Sequence, residues 1–478
     1  MIPYRASPVL TAFHEDDHFV RGLMGPFGSG KSVGCCQEIF FRCASQPKQE
    51  DGFRKSRWVA VRNTTQQLKD TTLKTWLDWF PEGATGHYKV SDATYLLEFQ
   101  DIRAEILFRP LDTPDDVKRL LSLELTGAWV NEAREIPKAI IDGLTGRIGR
   151  YPRDADGGSS WNGIIMDTNP PDEDHWWYDM FEVQRHQDEQ VGELYQIFRQ
   201  PPAVLKEGKK WVVNPKAENL QNLPDNYYLN MVVGKSAEWV KVYVEGNYGI
   251  VSDGRPVYDG YNDEWHCREF NVDPNLPVYV GWDYSFHGQA CVLAQLSPRG
   301  QLRIFDEFVA EGMGLHNFVL NQVKPGLSKY KVRYALSTGD PAGAKKSDLD
   351  ERFALEMLND GYSDLACNLP FDTDAADTNA MSPRTQGVEH FLNRTIEGAP
   401  AMVLHPRCAT LRKGFQGRYE FKRVQVVGEE RYKDVPNKNK YSHPQDALQY
   451  LCRGILSDAG REEEEEARHD RRVGISGY

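Results

Sequence analysis

Residues 25–32 read Gly-Pro-Phe-Gly-Ser-Gly-Lys-Ser, and this string constrains the fold more than anything else in the chain. It matches G-x-x-x-x-G-K-[ST] at every fixed position. Gly25, Gly28 and Gly30 let the chain turn tightly and bring backbone N–H groups onto phosphate oxygens. Lys31 reaches the outer phosphates as a point charge, and Ser32 offers a hydroxyl to Mg²⁺. A helix starting near Lys31 adds its positive N-terminal dipole. The expected nucleotide contacts are therefore Gly25, Gly28, Ser29, Gly30, Lys31 and Ser32. A chance Gly-rich turn is the competing reading, but the full match follows an apolar segment, 19–24, as such a loop requires.

A loop of this kind needs a sheet. Short apolar runs at 58–61, 104–108, 128–130 and 164–166 are bounded by polar or turn residues, with helix-like stretches between them. They predict strands buried on both faces, an α/β sheet over roughly the first 200 residues. One run ends in Asn131-Glu132. Glu132 is the expected base that orders an attacking water. Asn131 sits where such enzymes often carry an Asp for Mg²⁺. Alternatively, the pair simply ends a buried strand and caps a helix. The run 164–170 ends in Asp-Thr-Asn-Pro, where Thr168 and Asn169 either sense the γ phosphate or form an Asn-Pro turn. Arg147 and Arg150, in Gly-Arg-Ile-Gly-Arg, are arginine fingers for a neighbouring subunit or solvated or DNA-facing arginines.

The texture then changes. Residues 201–252 read as a small linker or lid with two helices, the first begun by Leu223-Pro224-Asp225. From Val278 three strand-like runs follow at short spacing and predict an antiparallel meander. Asp283 lies in Tyr-Val-Gly-Trp-Asp, Asp340 follows a strand in Ser-Thr-Gly-Asp-Pro, and Asp446 falls one turn into a helix. Singly, each is more often a cap or turn acid. Together, the order strand Asp, antiparallel strands, strand Asp, helix Asp suggests a ribonuclease H-like fold holding hard divalent cations. Two ions about 4 Å apart would activate water and stabilise the leaving oxygen of a phosphodiester. His443 is expected near Asp446, with Asp306 and Glu307 as accessory acids. Few basic residues adjoin the three aspartates in sequence, so the metal-free site should repel itself, and an Asp→Asn change should leave stability level or raised. Residues 405–440 carry ten Lys or Arg against four Asp or Glu, with Phe415, Tyr419, Phe421 and Tyr432 interleaved. That is either a DNA-backbone groove or a hairpin with a solvated face. The tail 457–478 is charged and expected to be mobile.

The formal charge of −13 argues against a protein that coats DNA over its whole surface. Eight cysteines without C-x-x-C spacing read as free or buried thiols of a reducing compartment. No apolar run is long enough to span a membrane and no signal peptide is expected.

The motifs at 25–32, 61–76, 126–133, 167–170, 281–285, 339–343 and 441–451 together resemble the large terminase subunit of tailed bacteriophages, over nearly the whole chain. The resemblance implies a P-loop ATPase domain with a mostly parallel sheet (1–200), a helical linker (201–252), a ribonuclease H-like nuclease domain (253–456) and the tail. It implies ATP and Mg²⁺ at Lys31 and Ser32, Glu132 as catalytic acid, Thr168-Asn169 as coupling motif, and Mg²⁺ or Mn²⁺, two ions, on Asp283, Asp340 and Asp446. The implied partners are double-stranded DNA, a small terminase subunit and the portal of the procapsid, with a five-membered ring working in the host cytoplasm. The competing reading is a P-loop helicase or remodelling ATPase whose second half only binds DNA.

Overall fold

The computed structural model describes residues 3–208, 210–251, 254–284, 288–344, 354–359, 367–424 and 431–475. The chain divides into two units, Met1–Val251 and Ser252–Tyr478.

The first unit is built on an eight-stranded sheet of order β3-β4-β5-β2-β6-β7-β1-β8. Its strands are β1 (Val20–Met24), β2 (Arg54–Arg62), β3 (Gly86–Lys89), β4 (Thr94–Phe99), β5 (Ile102–Pro110), β6 (Gly127–Asn131), β7 (Gly163–Thr168) and β8 (Tyr195–Arg199). The six from β5 to β8 in sheet order run parallel, and β3 and β4 add an antiparallel edge. Every residue of β1, β6 and β7 is buried, because both faces of the sheet are covered. Successive residues alternate between two cores: Leu23 and Ile165 join one, Met24, Ile164 and Met166 the other. The expected strands at 58–61, 104–108, 128–130 and 164–166 are all present. The edge hairpin β3–β4 escaped the sequence reading because β3 buries no residue and the apolar runs of both strands are short.

The helix Lys31–Ser45 leaves the β1 end and buries Cys35, Cys36, Ile39 and Cys43. It is tied to β1 by a buried carboxylate: Glu38 accepts from Arg21 and Arg42, each at 2.6 Å. All eight cysteines are free and seven are buried. Within this unit, the described part of 201–251 holds a hairpin of β9 (Val204–Glu207) and β10 (Lys210–Val213) and two helices, Tyr227–Val232 and Ala237–Tyr243. The two helices follow the sequence pattern, and the hairpin was not foreseen.

In the second unit β11 (Arg255–Pro256) pairs with Glu420–Phe421. The main sheet has the order β16-β15-β12-β13-β14 followed by the strand Met402–Leu404. Here β12 is Val278–Asp283, β13 Gln289–Leu296, β14 Leu302–Ala310, β15 Tyr334–Gly339 and β16 Asp374–Ala375. The meander β12–β13–β14 is antiparallel, as its spacing predicts, and β15 lies parallel to β12. This is the ribonuclease H-like arrangement. Ser285 and Phe286, at the expected end of the first strand, lie outside the described residues.

The helix Ser442–Ile475 crosses this sheet and runs on into the segment where a mobile tail is expected. Its glutamate- and arginine-rich sequence has high intrinsic helix propensity. The crossing is close because Gly281 has no side chain: a Cβ there would stand 2.2 Å from the Ala447 carbonyl oxygen and 2.7 Å from Leu451 Cβ. Among the described residues no helix is long and apolar enough to cross a membrane.

Candidate active sites at the strand ends

Parallel sheets gather their polar ligands beyond the C-terminal ends of the strands, and both clusters of this chain lie there. In the first unit, the loop after β1 is the candidate phosphate-binding loop. Gly28 and Gly30 have left-handed φ angles of 70° and 86°, which a side chain would strain. Gly25 is needed for another reason: a Cβ on it would stand 2.5 Å from Gln200 Oε1. Gln200, just past β8, braces the loop by accepting from Ser29 Oγ at 2.6 Å and donating to the Ser29 carbonyl at 2.9 Å. No local motif in the sequence marks Gln200 for this role. Lys31 Nζ donates to the Gly25 and Pro26 carbonyls at 3.0 and 2.7 Å. Burial pushes its amine down, while Glu132 and then Asp167 pull it back up.

Glu132 follows β6 with φ 54° and ψ 58°, a left-handed conformation that is strained for a residue with a side chain and recurs at functional sites. Burial raises its carboxyl above the usual range, Lys31 opposes this, and Asp167 adds to it. The end of β7 links these parts. The Gly25 amide donates to the Thr168 carbonyl at 3.3 Å, Asn169 Nδ2 to the Gly25 carbonyl at 2.8 Å, and the Arg134 amide to Thr168 Oγ1 at 3.2 Å. Thr168 and Asn169 thus touch both the phosphate loop and the turn that carries Glu132.

One residue here was missed. Asp167 is fully buried and accepts from Ser32 Oγ at 2.8 Å and from Trp129 Nε1 at 2.7 Å. It also accepts from Asn131 Nδ2, 3.1 Å from either oxygen. A signal was present in the sequence: an acid inside the apolar run Ile-Ile-Met-Asp, as unfavourable there as Asp283 is in its own strand. The oxygen-rich set of Ser32 and Asp167 suits a hard cation such as Mg²⁺. Arg147 is half-buried and Arg150 exposed.

In the second unit, Asp283 ends β12, and the Asp340 amide donates to the Trp282 carbonyl at 3.2 Å, so these two acids stand on adjacent strand ends. Asp283 is buried, with His443 Nδ1 2.7 Å from its Oδ2. Burial raises its carboxyl, His443 opposes this, and Asp446 raises it further. The Tyr450 hydroxyl is pushed up first by burial; Arg384 opposes this, and Asp340, Asp283 and Asp446 all add to it, so the three acids share its neighbourhood. They do not form a tight cage: among the described residues no three His, Cys, Asp or Glu side chains are grouped to hold a metal.

The expected shortage of basic neighbours is corrected by the fold. Asp446 accepts from Arg384 Nη2 at 2.6 Å and Tyr419 Oη at 3.1 Å, and pairs with Lys438. Arg384 comes from the helix Met381–Leu392, too far along the chain for adjacency to reveal. The carboxylates are hard donors that fit divalent cations, with two protein cations already against one of them. Asp306 and Glu307 are also reassigned. Asp306 accepts from Tyr330 at 2.7 Å, and Glu307 caps the helix Ala409–Lys413 by accepting from the Thr410 and Leu411 amides. In the basic segment Phe415 and Tyr419 are core residues, not a stacking surface, and Arg412 is paired with Asp263 at 2.5 Å. Residues 425–430 of that segment lie outside the described residues.

A sequence-family model described as phage terminase large subunit matches residues 17–254, which hold the phosphate loop, Glu132 and the Asp-Thr-Asn-Pro strand end. The chain belongs to the phage terminase large-subunit family. No curated protein matches this terminase chain. Among solved structures it is similar to the large terminase of a thermophilic bacteriophage, at 14% identity and TM-score 0.40 over 93% of this chain and 96% of that one. It is similar to the bacteriophage HK97 large terminase at 11% identity and TM-score 0.40, over 95% of each chain. The nuclease domain of the bacteriophage SPP1 large terminase, solved with bound Mn, aligns at 16% identity and TM-score 0.27 over 39% of this chain and 94% of that one.

Proposed function

We propose that this terminase chain is the ATP-driven motor that moves double-stranded DNA through a portal into a procapsid, and that its second unit cuts concatemeric DNA with divalent metal ions. The observation that carries the motor reading is the convergence at three adjacent parallel strand ends. Thr168-Asn169 at β7 is hydrogen-bonded both to the phosphate loop after β1, through Gly25, and to the turn after β6 that carries Glu132, through the Arg134 amide.

In this reading the loop amides and Lys31 hold the phosphates of ATP, and Ser32 faces the Mg²⁺. A Mg²⁺ held at Ser32 would supply neutralisation of the charge that develops on the phosphate oxygens. Glu132 takes the proton of the attacking water, for which a carboxyl raised by burial is suited. When the γ phosphate leaves, the contacts of Asn169 and Thr168 carry the change to the Gly25 and Arg134 turns. In the second unit Asp283, Asp340 and Asp446 would hold the nuclease metals, two ions by family expectation. The metals would supply an activated water and a stabilised leaving oxygen. The proposed partners are a small terminase subunit, the portal and four further copies in a ring, in the host cytoplasm.

A second reading has one observation in its favour. The pairing of Asp446 with Arg384 and Lys438 would equally suit a structural role, leaving an ATPase with a DNA-binding module. Cleavage of DNA separates the two.

The ring has its own test. Arg150 is the more exposed of the two candidate fingers. Neither Arg150→Ala nor Lys31→Ala alone should turn over ATP. Mixing the two chains at concentrations that drive assembly should restore ATPase, because one intact phosphate loop can then meet one intact arginine. No recovery would exclude Arg150 as a finger in trans.

A further inference from the structure

In phosphate-loop enzymes the nucleotide's cation is held by the loop hydroxyl and by a carboxylate from a neighbouring strand end. Here the residue at the usual place for that carboxylate is Asn131, whose amide carries no charge. We propose that Asp167, on β7, supplies the carboxylate to the cation, and that Asn131 holds Asp167 in place. The assignment rests on the phosphate loop being a nucleotide site.

Three observations support it. First, Asp167 is the acid that contacts the loop hydroxyl, Ser32 Oγ to Asp167 Oδ2 at 2.8 Å. Second, the strand register sets Asp167 directly beside Asn131 of β6 and Leu23 of β1, so moving the carboxylate from β6 to β7 shifts it by one strand and keeps it facing Ser32. Third, Asn131 is oriented for the holding role. Thr72 Oγ1 donates to Asn131 Oδ1 at 2.7 Å, which turns the amide nitrogen toward Asp167. Asp167 is fully buried, and its donors, Ser32, Trp129 and Asn131, are all neutral. Among the described residues no Lys, Arg or His stands at ion-pair distance from it. A buried carboxylate with only neutral donors is stabilised by a cation, and the loop hydroxyl marks where that cation belongs.

The test is the binding of a fluorescent ATP analogue to the full chain, with Mg²⁺ and with a chelator, without reference to turnover. The parent chain should bind more tightly with Mg²⁺. Asp167→Asn, which keeps the shape and three hydrogen-bonding partners, should bind as the parent does in chelator and lose roughly 10–100-fold of the Mg²⁺-dependent gain. The swap Asn131→Asp with Asp167→Asn returns a carboxylate to β6 beside the same hydroxyl and should recover the gain. The spectrum of Mn²⁺ bound with the nucleotide should broaden and recover in the same order. A merely structural Asp167 would weaken binding equally in both buffers, and the swap would not help; that outcome overturns the assignment, as does an undiminished gain in Asp167→Asn. If Asp167→Asn does not fold, the swap decides: binding in chelator with no Mg²⁺ gain overturns the assignment, and a restored gain supports it. A parent chain that binds no nucleotide in either buffer would instead remove the nucleotide reading itself.

Discussion

Replacing Glu132 by Gln should leave ATP binding intact and slow its hydrolysis by roughly 10²–10⁴-fold, the usual contribution of a positioned general base. The substitution keeps the side-chain shape at a backbone position held at φ 54°, so it removes the proton acceptor with little change in the turn. The pH profile sharpens the test. Burial holds the Glu132 carboxyl above the ordinary range, so the folded group is protonated, and useless as a base, at a pH where an exposed glutamate would still be ionised. The parent rate should therefore fall as pH drops through that raised value. The Gln variant should show no such limb. A variant that keeps both the parent rate and the limb would place the base elsewhere.

The second large effect is in the nuclease unit. Asp283→Asn, Asp340→Asn and Asp446→Asn should each eliminate DNA cleavage, and a double variant should be no worse than a single, as for groups acting as one unit. Their stabilities should differ. Asp283 is buried with its carboxyl raised by that burial and by Asp446, so loss of its charge should leave the melting temperature level or higher in chelator. Asp446→Asn removes the partner of Arg384, both side chains being almost wholly inaccessible at 3% and 8%. Leaving a buried arginine uncompensated costs about 3 kcal/mol, several degrees in Tm for a unit of this size. Equal melting temperatures for the two variants would contradict the paired geometry.

What the sequence could reveal follows from how each feature is encoded. The phosphate loop, the buried parallel strands and the meander are local patterns of glycine, charge and apolar period, so they were legible. Asp167 was legible in principle, by the same argument as Asp283, but lay beside the more conspicuous Thr168-Asn169. The Arg384–Asp446 pair joins residues 62 apart in sequence, and the bracing of the phosphate loop by Gln200 spans 171. Such contacts depend on which helix crosses which sheet and leave no trace in spacing. The interleaved aromatics at Phe415 and Tyr419 misled for the converse reason: composition does not say which face of a segment is turned into the core.

The measurement that bears most directly on the central claim is cutting of supercoiled plasmid by the purified chain in Mn²⁺, run with Glu132→Gln and Asp340→Asn beside the parent. The parent and Glu132→Gln should both convert the plasmid to nicked and linear forms, and Asp340→Asn should leave it supercoiled. Cutting undiminished in Asp340→Asn, or no cutting by the parent, would contradict the proposed nuclease and make the second unit a DNA-binding module.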